Sequence, residues 1–402
     1  MIPVRCLDIT SLERASREMR RIGVDPAGAA IMSPKQFHYN LLVKGLKPAQ
    51  ANIIKQEMLA VGGEAAVNKG AVSSSIDLTD AIISGTARQF DALVDKLVIQ
   101  PFRLAEVASA LKRAIENIGR GEFTLVSRSK AWTLGNRTLI MGILNVTPDS
   151  FSDGSGFLDA KGAAMRARQM SDEGADWIDV GGESTRPGAT PVTEDEELRR
   201  VLPVVSGLAS SGVAVSIDTS KAAVARRALE AGALIVNDVT ALSDPLMASV
   251  CAEYKAVVVL MHMRGTPSTM QHNVDYEDLV GETFEFLASR LDYAKKAGIS
   301  PDALVIDPGI GFGKSGDGNL TLLKSLCEFK SLGAPILIGA SRKSFIGSVI
   351  GGEALMSASA RLSGTLAANT AAILNGAQII RVHDVRQAKE AALVADAIKN
   401  AG

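Results

Sequence analysis

The chain has 402 residues, of which 47% are hydrophobic and 22% charged, a composition typical of a folded protein large enough for more than one domain. Its 43 Lys and Arg residues and 44 Asp and Glu residues give a net charge of −1, which argues against a nucleic-acid coat or a membrane-surface sheath. Only 4% of the residues are aromatic, so we expect no base-stacking surface. Three scattered cysteines, Cys6, Cys251 and Cys327, predict small buried residues and no disulfide framework.

The first 120 residues predict a small α/β domain. Residues 2–9 alternate like a strand, and residues 10–13 form a capping-box pattern that opens a helix. A second strand is predicted over residues 39–43, and further helices over residues 48–59 and 102–119. No residue pattern in this domain indicates chemistry, so its role stays open.

The remaining chain predicts a parallel α/β barrel. Residues 121–137 form a connecting segment that we expect to pack on it. Eight apolar runs then recur, at residues 139–144, 177–180, 213–217, 234–236, 257–261, 304–306, 336–338 and 378–380. Such runs are typical of strands buried on both faces, and the Ala-rich segments between them predict crossover helices. Eight β-α units over residues 138–402 predict a (β/α)8 TIM barrel, with an open doubly wound sheet as the alternative.

Polar side chains follow every predicted strand. They are Asn145, Asp179, Glu183, Asp218, Asn237, Asp238, His262, Asp307, Lys343, Arg381 and His383. Any single Asp or Asn among them could be a turn former, and Asp179 and Asp238 could be structural. Eight polar strand ends in register are harder to explain in this way, because buried polar groups are costly without partners. We therefore expect a ligand site at the carboxyl end of the barrel.

The residue types indicate which ligand chemistry this site favours. Asp218, Asn237 and Asp307 suit a flat heterocycle with an amino-pyrimidine edge. A second group, consisting of Lys343, Arg381, His383 and Arg186, suits an anion such as a phosphate. Asn145 offers an oxygen to a hard cation carried by a diphosphate.

Three loops stand out after the predicted strands. Residues 145–154 and 181–188 are rich in small and turn-forming residues and are candidates for lids that order around a substrate. Residues 309–315 resemble a phosphate-binding loop, but Pro308 stands where that pattern requires glycine. We interpret this third loop as a close backbone approach to a ligand beside Asp307.

Five segments carry specific motifs: GILNVTPDSFSDG at 142–154, GGESTRPG at 181–188, DPGIGFGK at 307–314, SRKSF at 341–345 and RVHDV at 381–385. Together they resemble the dihydropteroate synthase family, from about Thr138 to the C-terminus. The first 119 residues do not match the minimal family pattern. The resemblance implies a homodimeric transferase of folate biosynthesis, a target of sulfonamides. Its substrates would be 4-aminobenzoate and 7,8-dihydropterin-6-ylmethyl diphosphate, and its products 7,8-dihydropteroate and diphosphate. The N-terminal residues lack an apolar signal core and no apolar run approaches about 20 residues, so we expect a cytoplasmic protein.

The resemblance also implies a role for individual positions. Asp218, Asn237, Asp307 and Lys343 would hold the pterin, while Arg381 and His383 would bind the diphosphate, Arg381 also contacting the pterin ring. Phe151, Pro187, Lys343 and Ser344 would frame the aminobenzoate pocket, with Thr185 and Arg186 nearby. Asp153 would stabilise positive charge, and Asn145 would contact Mg2+. Of these, Asp153, Asp307, Lys343, Arg381 and His383 are the predicted catalytic residues.

Two other functions remain as alternatives. A pterin-binding methyltransferase domain would share the barrel and the acids that hold the pterin, but it would not need the cationic residues or the two lid loops. A non-catalytic pterin-binding module would be expected to lack a catalytic residue, and none is missing. The sequence therefore favours the synthase.

Overall fold

The computed structural model describes residues 2–147, 160–184, 192–266, 269–270, 274–351 and 356–401. The chain divides into two compact units, Met1–Gly119 and Arg120–Gly402. Within the described residues, no helix is both long enough and apolar enough to cross a membrane.

The first unit is a three-stranded antiparallel sheet packed against helices. Its described elements are α1 (Leu12–Arg21), α2 (Pro26–Met32), β1 (His38–Leu46), α3 (Pro48–Ala60), β2 (Glu64–Val67), α4 (Gly70–Ser73), β3 (Thr79–Thr86), α5 (Ala87–Val98) and α6 (Leu104–Gly119). The strand order is β1-β3-β2. The helix predicted to open here is α1, but its N-cap is Ser11, whose side chain accepts a hydrogen bond from the Arg14 N–H at 3.1 Å, and the predicted capping box that begins at Thr10 is wrong by one residue. The predicted helices over residues 48–59 and 102–119 correspond to α3 and α6.

Two expectations for surface residues were wrong. Residues 2–9 do not form a strand, and Ile2 and Val4 are 89% and 93% exposed. These residues have no neighbouring strand with which to form hydrogen bonds, and an isolated strand is unstable in water. Of the three cysteines only Cys251 is buried. Cys6 lies in the unpaired N-terminal segment, and Cys327 lies on the outer face of a short 3-10 helix that buries Leu326 and Phe329 instead.

The second unit is a closed eight-stranded parallel barrel preceded by a hairpin. The hairpin is β4 (Phe123–Val126) with β5 (Ala131–Leu134). The barrel strands are β6 (Leu139–Asn145), β7 (Trp177–Gly181), β8 (Val215–Asp218), β9 (Ile235–Asp238), β10 (Val257–Met261), β11 (Leu304–Asp307), β12 (Leu337–Ile338) and β13 (Ile379–Val382). Their order is β11-β10-β9-β8-β7-β6-β13-β12, and a bridge from Ile306 to Ile336 closes the ring. The predicted TIM barrel is confirmed, each predicted run overlapping one strand.

Helices alternate with these strands. They are α7 (Ala160–Asp172), α8 (Glu194–Ser210), α9 (Ala222–Glu230), α10 (Met247–Glu253), α11 (Leu279–Lys296), α12 (Gly316–Lys324), α13 (Ser344–Ile350), α14 (Leu362–Leu374) and α15 (Val385–Lys399). Alternate strand residues face them: Ile178 and Val180 of β7 pack with Ala163 and Ala167 of α7 in the outer core. Each fully buried side chain of valine or isoleucine size contributes about 2 kcal/mol to stability.

The remaining strand residues fill the barrel interior. At its amino-terminal end they are apolar, and the hairpin packs against them, with the rings of Trp132 and Trp177 at 5.4 Å. Two residues beyond Trp177, on the same face of β7, stands the fully buried Asp179. On β7, and likewise on β11 from Val305 to Asp307, the interior therefore changes from apolar to polar toward the carboxyl end of the strand.

Candidate active site

Three strands meet around the carboxylate of Asp179. Its Oδ2 accepts hydrogen bonds from Asn237 Nδ2 of β9 at 3.0 Å and from Arg381 Nε of β13 at 2.7 Å. A second nitrogen of the Arg381 guanidinium donates to Asp218 Oδ2 of β8 at 2.6 Å. One cation thus bridges two carboxylates, and the amide of Asn237 is oriented by the same group.

The charges of this cluster depend on burial. Burial raises the pKa of Asp218 to about 7, a shift that Arg381 opposes and Asp179 adds to. Burial also disfavours the charged form of Arg381, but Asp179 and Asp218 outweigh it and raise the arginine pKa. Arg381 therefore stays charged, while Asp218 can change its charge near neutral pH.

Asp307 and Lys343 also lie at the barrel mouth. Asp307, 5% exposed, accepts a hydrogen bond at Oδ1 from the Gly309 N–H at 2.7 Å, and burial raises its pKa. The Nζ of Lys343 donates to the Ile310 carbonyl at 2.6 Å and lies 3.9 Å from the centroid of the Phe312 ring. Burial lowers the pKa of Lys343 to about 7, against the attraction of Asp307. The site thus holds an acid and a base with oppositely shifted pKa values, which is typical of functional sites.

Two glycines of the loop after β11 leave room for neighbouring groups of the protein itself. Gly309 and Gly311 have φ angles of +73° and +79°. A Cβ atom at Gly309 would lie 1.9 Å from the carbonyl oxygen of His262, and one at Gly311 would lie 2.6 Å from Cδ of Lys343. The close approach that we predicted for a ligand is therefore, at these positions, an approach to His262 and Lys343.

The segments at 341–345 and 381–385 are tied to each other. Ser341 Oγ lies 3.0 Å from His383 Nδ1 and accepts a hydrogen bond from the His383 N–H at 3.2 Å. Arg342, in the left-handed region at φ +60°, forms two hydrogen bonds to Asp384, at 3.0 and 2.5 Å. This pair holds the turn that presents Lys343, and Ser341 fixes the ring plane of His383.

The loop after β7 is anchored at its base. Lys221 Nζ donates to Glu183 and, at 2.6 Å, to Glu197 Oε2 of α8. The other oxygen of Glu183 accepts a hydrogen bond from the Val192 N–H at 3.2 Å. Both ends of the segment between residues 183 and 192 are therefore connected through one carboxylate.

The other predicted residues differ in where they lie. Asn145 ends β6 beside Gly181, whose Cβ would lie 3.6 Å from both Asn145 Oδ1 and Asp218 Cβ. Ser344, the first residue of α13, is exposed. Asp238 proves to be a turn former, since it accepts hydrogen bonds from Thr240 and Leu242. Five predicted residues lie outside the described part of the chain: Phe151, Asp153, Thr185, Arg186 and Pro187.

Two residues of the site were missed at the sequence level. Phe312 packs on the Lys343 ammonium, and Lys314, 4% exposed, contacts His262 behind the glycine loop. The signal was present in the motif, where an aromatic residue and a lysine interrupt a glycine repeat.

A metal ion would find few protein ligands here. Among the described residues, no three His, Cys, Asp or Glu side chains form a group that could hold one. Mg2+ commonly takes only one or two protein oxygens and completes its shell with water and substrate phosphates. The donor set of Asn145 with a diphosphate fits that pattern.

Comparison with known proteins agrees with this geometry. Residues 141–383 match the model of the pterin binding enzymes, so the chain belongs to that family. Within it, the chain is similar to the dihydropteroate synthases. The one from Synechocystis sp. is 47% identical over 266 residues, which cover 66% of this chain and 91% of that protein. The solved structure of the Xanthomonas albilineans enzyme with 4-aminobenzoic acid is 42% identical, with a TM-score of 0.65, covering 70% of this chain and 100% of that one.

A longer relative also matches the first unit. A Halobacterium salinarum protein, described as a probable bifunctional folylpolyglutamate synthase/dihydropteroate synthase, is 42% identical over 397 residues. The match covers 98% of this chain but 47% of that protein, so the chain spans about half the length of this relative.

Proposed function

We propose that the chain is a dihydropteroate synthase, which condenses 4-aminobenzoate with 7,8-dihydropterin-6-ylmethyl diphosphate to give 7,8-dihydropteroate and diphosphate. The observation that carries the proposal is the Asp179–Arg381–Asp218 cluster, together with Asn237, at the carboxyl end of a barrel with five family motifs. The relatives' names and the 4-aminobenzoic acid complex of one of them support it.

The pterin would bind across the barrel mouth. Carboxylates of Asp218 and Asp307 accept hydrogen bonds from the ring and amino N–H groups of an amino-pyrimidine edge. Asn237 donates its amide N–H to Asp179, which directs its oxygen to the remaining donor. In this orientation Arg381 and Lys343 would supply positive charge to the oxygen of the heterocycle and to the face of its ring.

The reaction would proceed by departure of the leaving group first. The C–O bond to the diphosphate breaks with its electron pair, and Arg381 and His383 stabilise the anion. The cation left on the pterin methylene is delocalised over the electron-rich ring, and the neighbouring carboxylates, with Asp153 on its loop, stabilise it. The neutral arylamine nitrogen forms the C–N bond and loses a proton to solvent, so no strong general base is required. Exclusion of water by the loops protects the cation from hydrolysis.

The second substrate would bind beside Lys343 and Ser344. The rest of this pocket would be formed by Phe151, Pro187, Thr185 and Arg186. Asn145 would hold Mg2+, which would supply positive charge to the diphosphate when bound. The homodimer stays a prediction from the family resemblance, and the cytoplasmic location stays a prediction from the sequence.

The test is incubation of the purified chain with Mg2+ and both substrates, followed by mass spectrometry for dihydropteroate. We expect product from the wild-type chain, none from Lys343→Ala, and a large loss when Mg2+ is replaced by EDTA. Pterin binding without product would contradict the proposal and favour a methyltransferase domain or a binding module. Product formed equally well in EDTA would contradict the metal assignment alone.

A further inference from the structure

Lys314 is a buried lysine that the proposed reaction does not use. Its Nζ lies 2.9 Å from His262 Nδ1, 2.9 Å from the Phe312 carbonyl oxygen and 3.3 Å from the His262 carbonyl oxygen. An ammonium group has three N–H donors, and three acceptors surround this one. Burial lowers the pKa of Lys314 to about 7, and this complete pairing is what lets the ammonium form persist near neutral pH.

The partners of Lys314 lie directly behind the segment that holds Lys343. Residues 310–312 supply the carbonyl, the glycine and the aromatic ring that contact Lys343. Lys314 binds the carbonyl of Phe312, whose ring faces Lys343 at 3.9 Å. The two lysines therefore contact one residue in common, since Lys314 binds the Phe312 carbonyl and Lys343 packs against the Phe312 ring.

His262 is held in place on its other side. Its ring packs edge-on against Phe286, with centroids at 4.9 Å. Burial, with the charges of Lys314 and Arg264, lowers the pKa of His262 to about 3. The imidazole is therefore neutral at physiological pH, so its Nδ1 can accept a hydrogen bond from the Lys314 ammonium.

We propose that Lys314 and His262 form a positioning pair, which fixes residues 310–312 and thereby the place of the Lys343 ammonium in the site. Neither residue touches substrate, and no bond is made or broken at them. The effect on turnover rests on the proposed function, whereas the effect on Lys343 does not.

The experiment compares two uncharged substitutions of His262. His262→Leu removes the acceptor, while His262→Asn places an amide oxygen near the position of Nδ1, and neither alters the net charge at neutral pH. Lys343 is labelled with an amine-reactive reagent across pH 6–10, and its peptide is quantified by mass spectrometry. Turnover and KM for the pterin diphosphate and 4-aminobenzoate are measured in parallel.

We expect His262→Leu to raise the midpoint of Lys343 labelling by about one pH unit, because an amine that loses its contacts becomes better solvated. We expect kcat to fall by about tenfold, since misplacement of a group in a site reduces turnover. His262→Asn should keep most of both properties, and Lys324→Met, which changes an exposed lysine of α12, should change neither.

Equal midpoints for His262→Leu, His262→Asn and wild type would overturn the proposal, as would equal shifts in both His262 variants. If His262→Leu does not fold, the charge-matched pair Lys314→Met and Lys314→Gln provides the same comparison, because only glutamine retains a donor for the Phe312 carbonyl. If the wild-type chain forms no dihydropteroate, the proposed function fails, but the labelling midpoints still test the positioning pair.

Discussion

Arg381 forms ion pairs with both Asp179 and Asp218. A change at any one of these three residues therefore alters the charge of the site. Next to Arg381 around the barrel, Lys343 after β12 and Asp307 of β11 have pKa values shifted toward their neutral forms by burial. Groups of this kind lower the stability of the fold, and their retention is typical of functional sites. We therefore expect substitution of the base Lys343 or of the acid Asp218 to change function more than stability.

Lys343→Met should abolish turnover without lowering stability at acidic pH. The pKa of Lys343 is lowered from 10.5 to about 7, so the folded state loses stability as the pH falls from 10.5 through 7. The variant escapes this loss, and its Tm at pH 6 should equal or exceed that of wild type by about 2–4 °C for each kcal/mol relieved. The difference should shrink toward pH 10. A Tm well below wild type at pH 6, measured by calorimetry, would indicate a structural role instead.

Asp218 should make pterin binding depend on pH. A carboxyl group with a pKa of about 7 is mostly protonated at pH 6 and can then no longer accept both hydrogen bonds from a pterin edge. We expect the Kd for a dihydropterin, measured by titration calorimetry, to weaken by about tenfold from pH 8 to pH 6. Asp218→Asn should bind weakly with no such pH dependence. A wild-type Kd that stays constant over this range would refute the assignment.

At the scale of the element, the loop after β11 shows why a glycine repeat follows Asp307. Its backbone passes close to His262 on one side and to Lys343 on the other, and side chains at these glycines would collide with them. The turn at 341–343 is similarly determined by distant partners, since Asp384 and Thr365 hold Arg342 in the left-handed region. The loops thus place functional groups because other elements restrain them.

Gly311→Ala should reduce activity more than stability. A Cβ atom there would lie 2.6 Å from Cδ of Lys343, and the φ of +79° adds backbone strain of about 1 kcal/mol. Lys343 can move aside, so we expect kcat/KM to fall by about 10-fold to 100-fold with a small change in Tm. Gly316→Ala is the matched control, because nothing lies within 4 Å of its Cβ position. Unchanged kinetics in Gly311→Ala would show that Lys343 does not need this contact.

At the scale of the whole molecule, the barrel and the first unit are separate compact units. The Synechocystis relative matches a region of only 266 residues, and the pterin binding family matches residues 141–383. The site residues described above all belong to the second unit. The chemistry proposed here therefore requires only that unit.

A fragment of residues 120–402 should retain the dihydropteroate synthase activity that we propose, with kcat within about threefold of the full chain. A fragment of residues 138–402 lacks the β4–β5 hairpin and exposes the apolar end of the barrel, including Trp177. We expect that shorter fragment to aggregate or to unfold at a much lower temperature. Loss of activity in the longer, folded fragment would assign the first unit a part in catalysis.

The barrel and the type of ligand site follow from local patterns in the sequence. Apolar runs identify strands buried on both faces, and a polar residue after each run marks the carboxyl end, because alternation along a strand is a local property of the backbone. The same rule failed for residues 2–9, where the alternation is present but no strand lies alongside. Periodicity thus predicts an element only where the fold supplies a partner for it.

The pairing of the polar residues, in contrast, depends on the closed barrel. Arg381 is 202 residues from Asp179 and 163 from Asp218, and closure of the barrel brings all three together. The contact of the buried Lys314 with His262, 52 residues away, likewise cannot be predicted from the local sequence. A single lysine after a glycine repeat is typical of an exposed position. Contacts of this kind depend on the arrangement of whole strands in space, and so do the pKa shifts that burial produces.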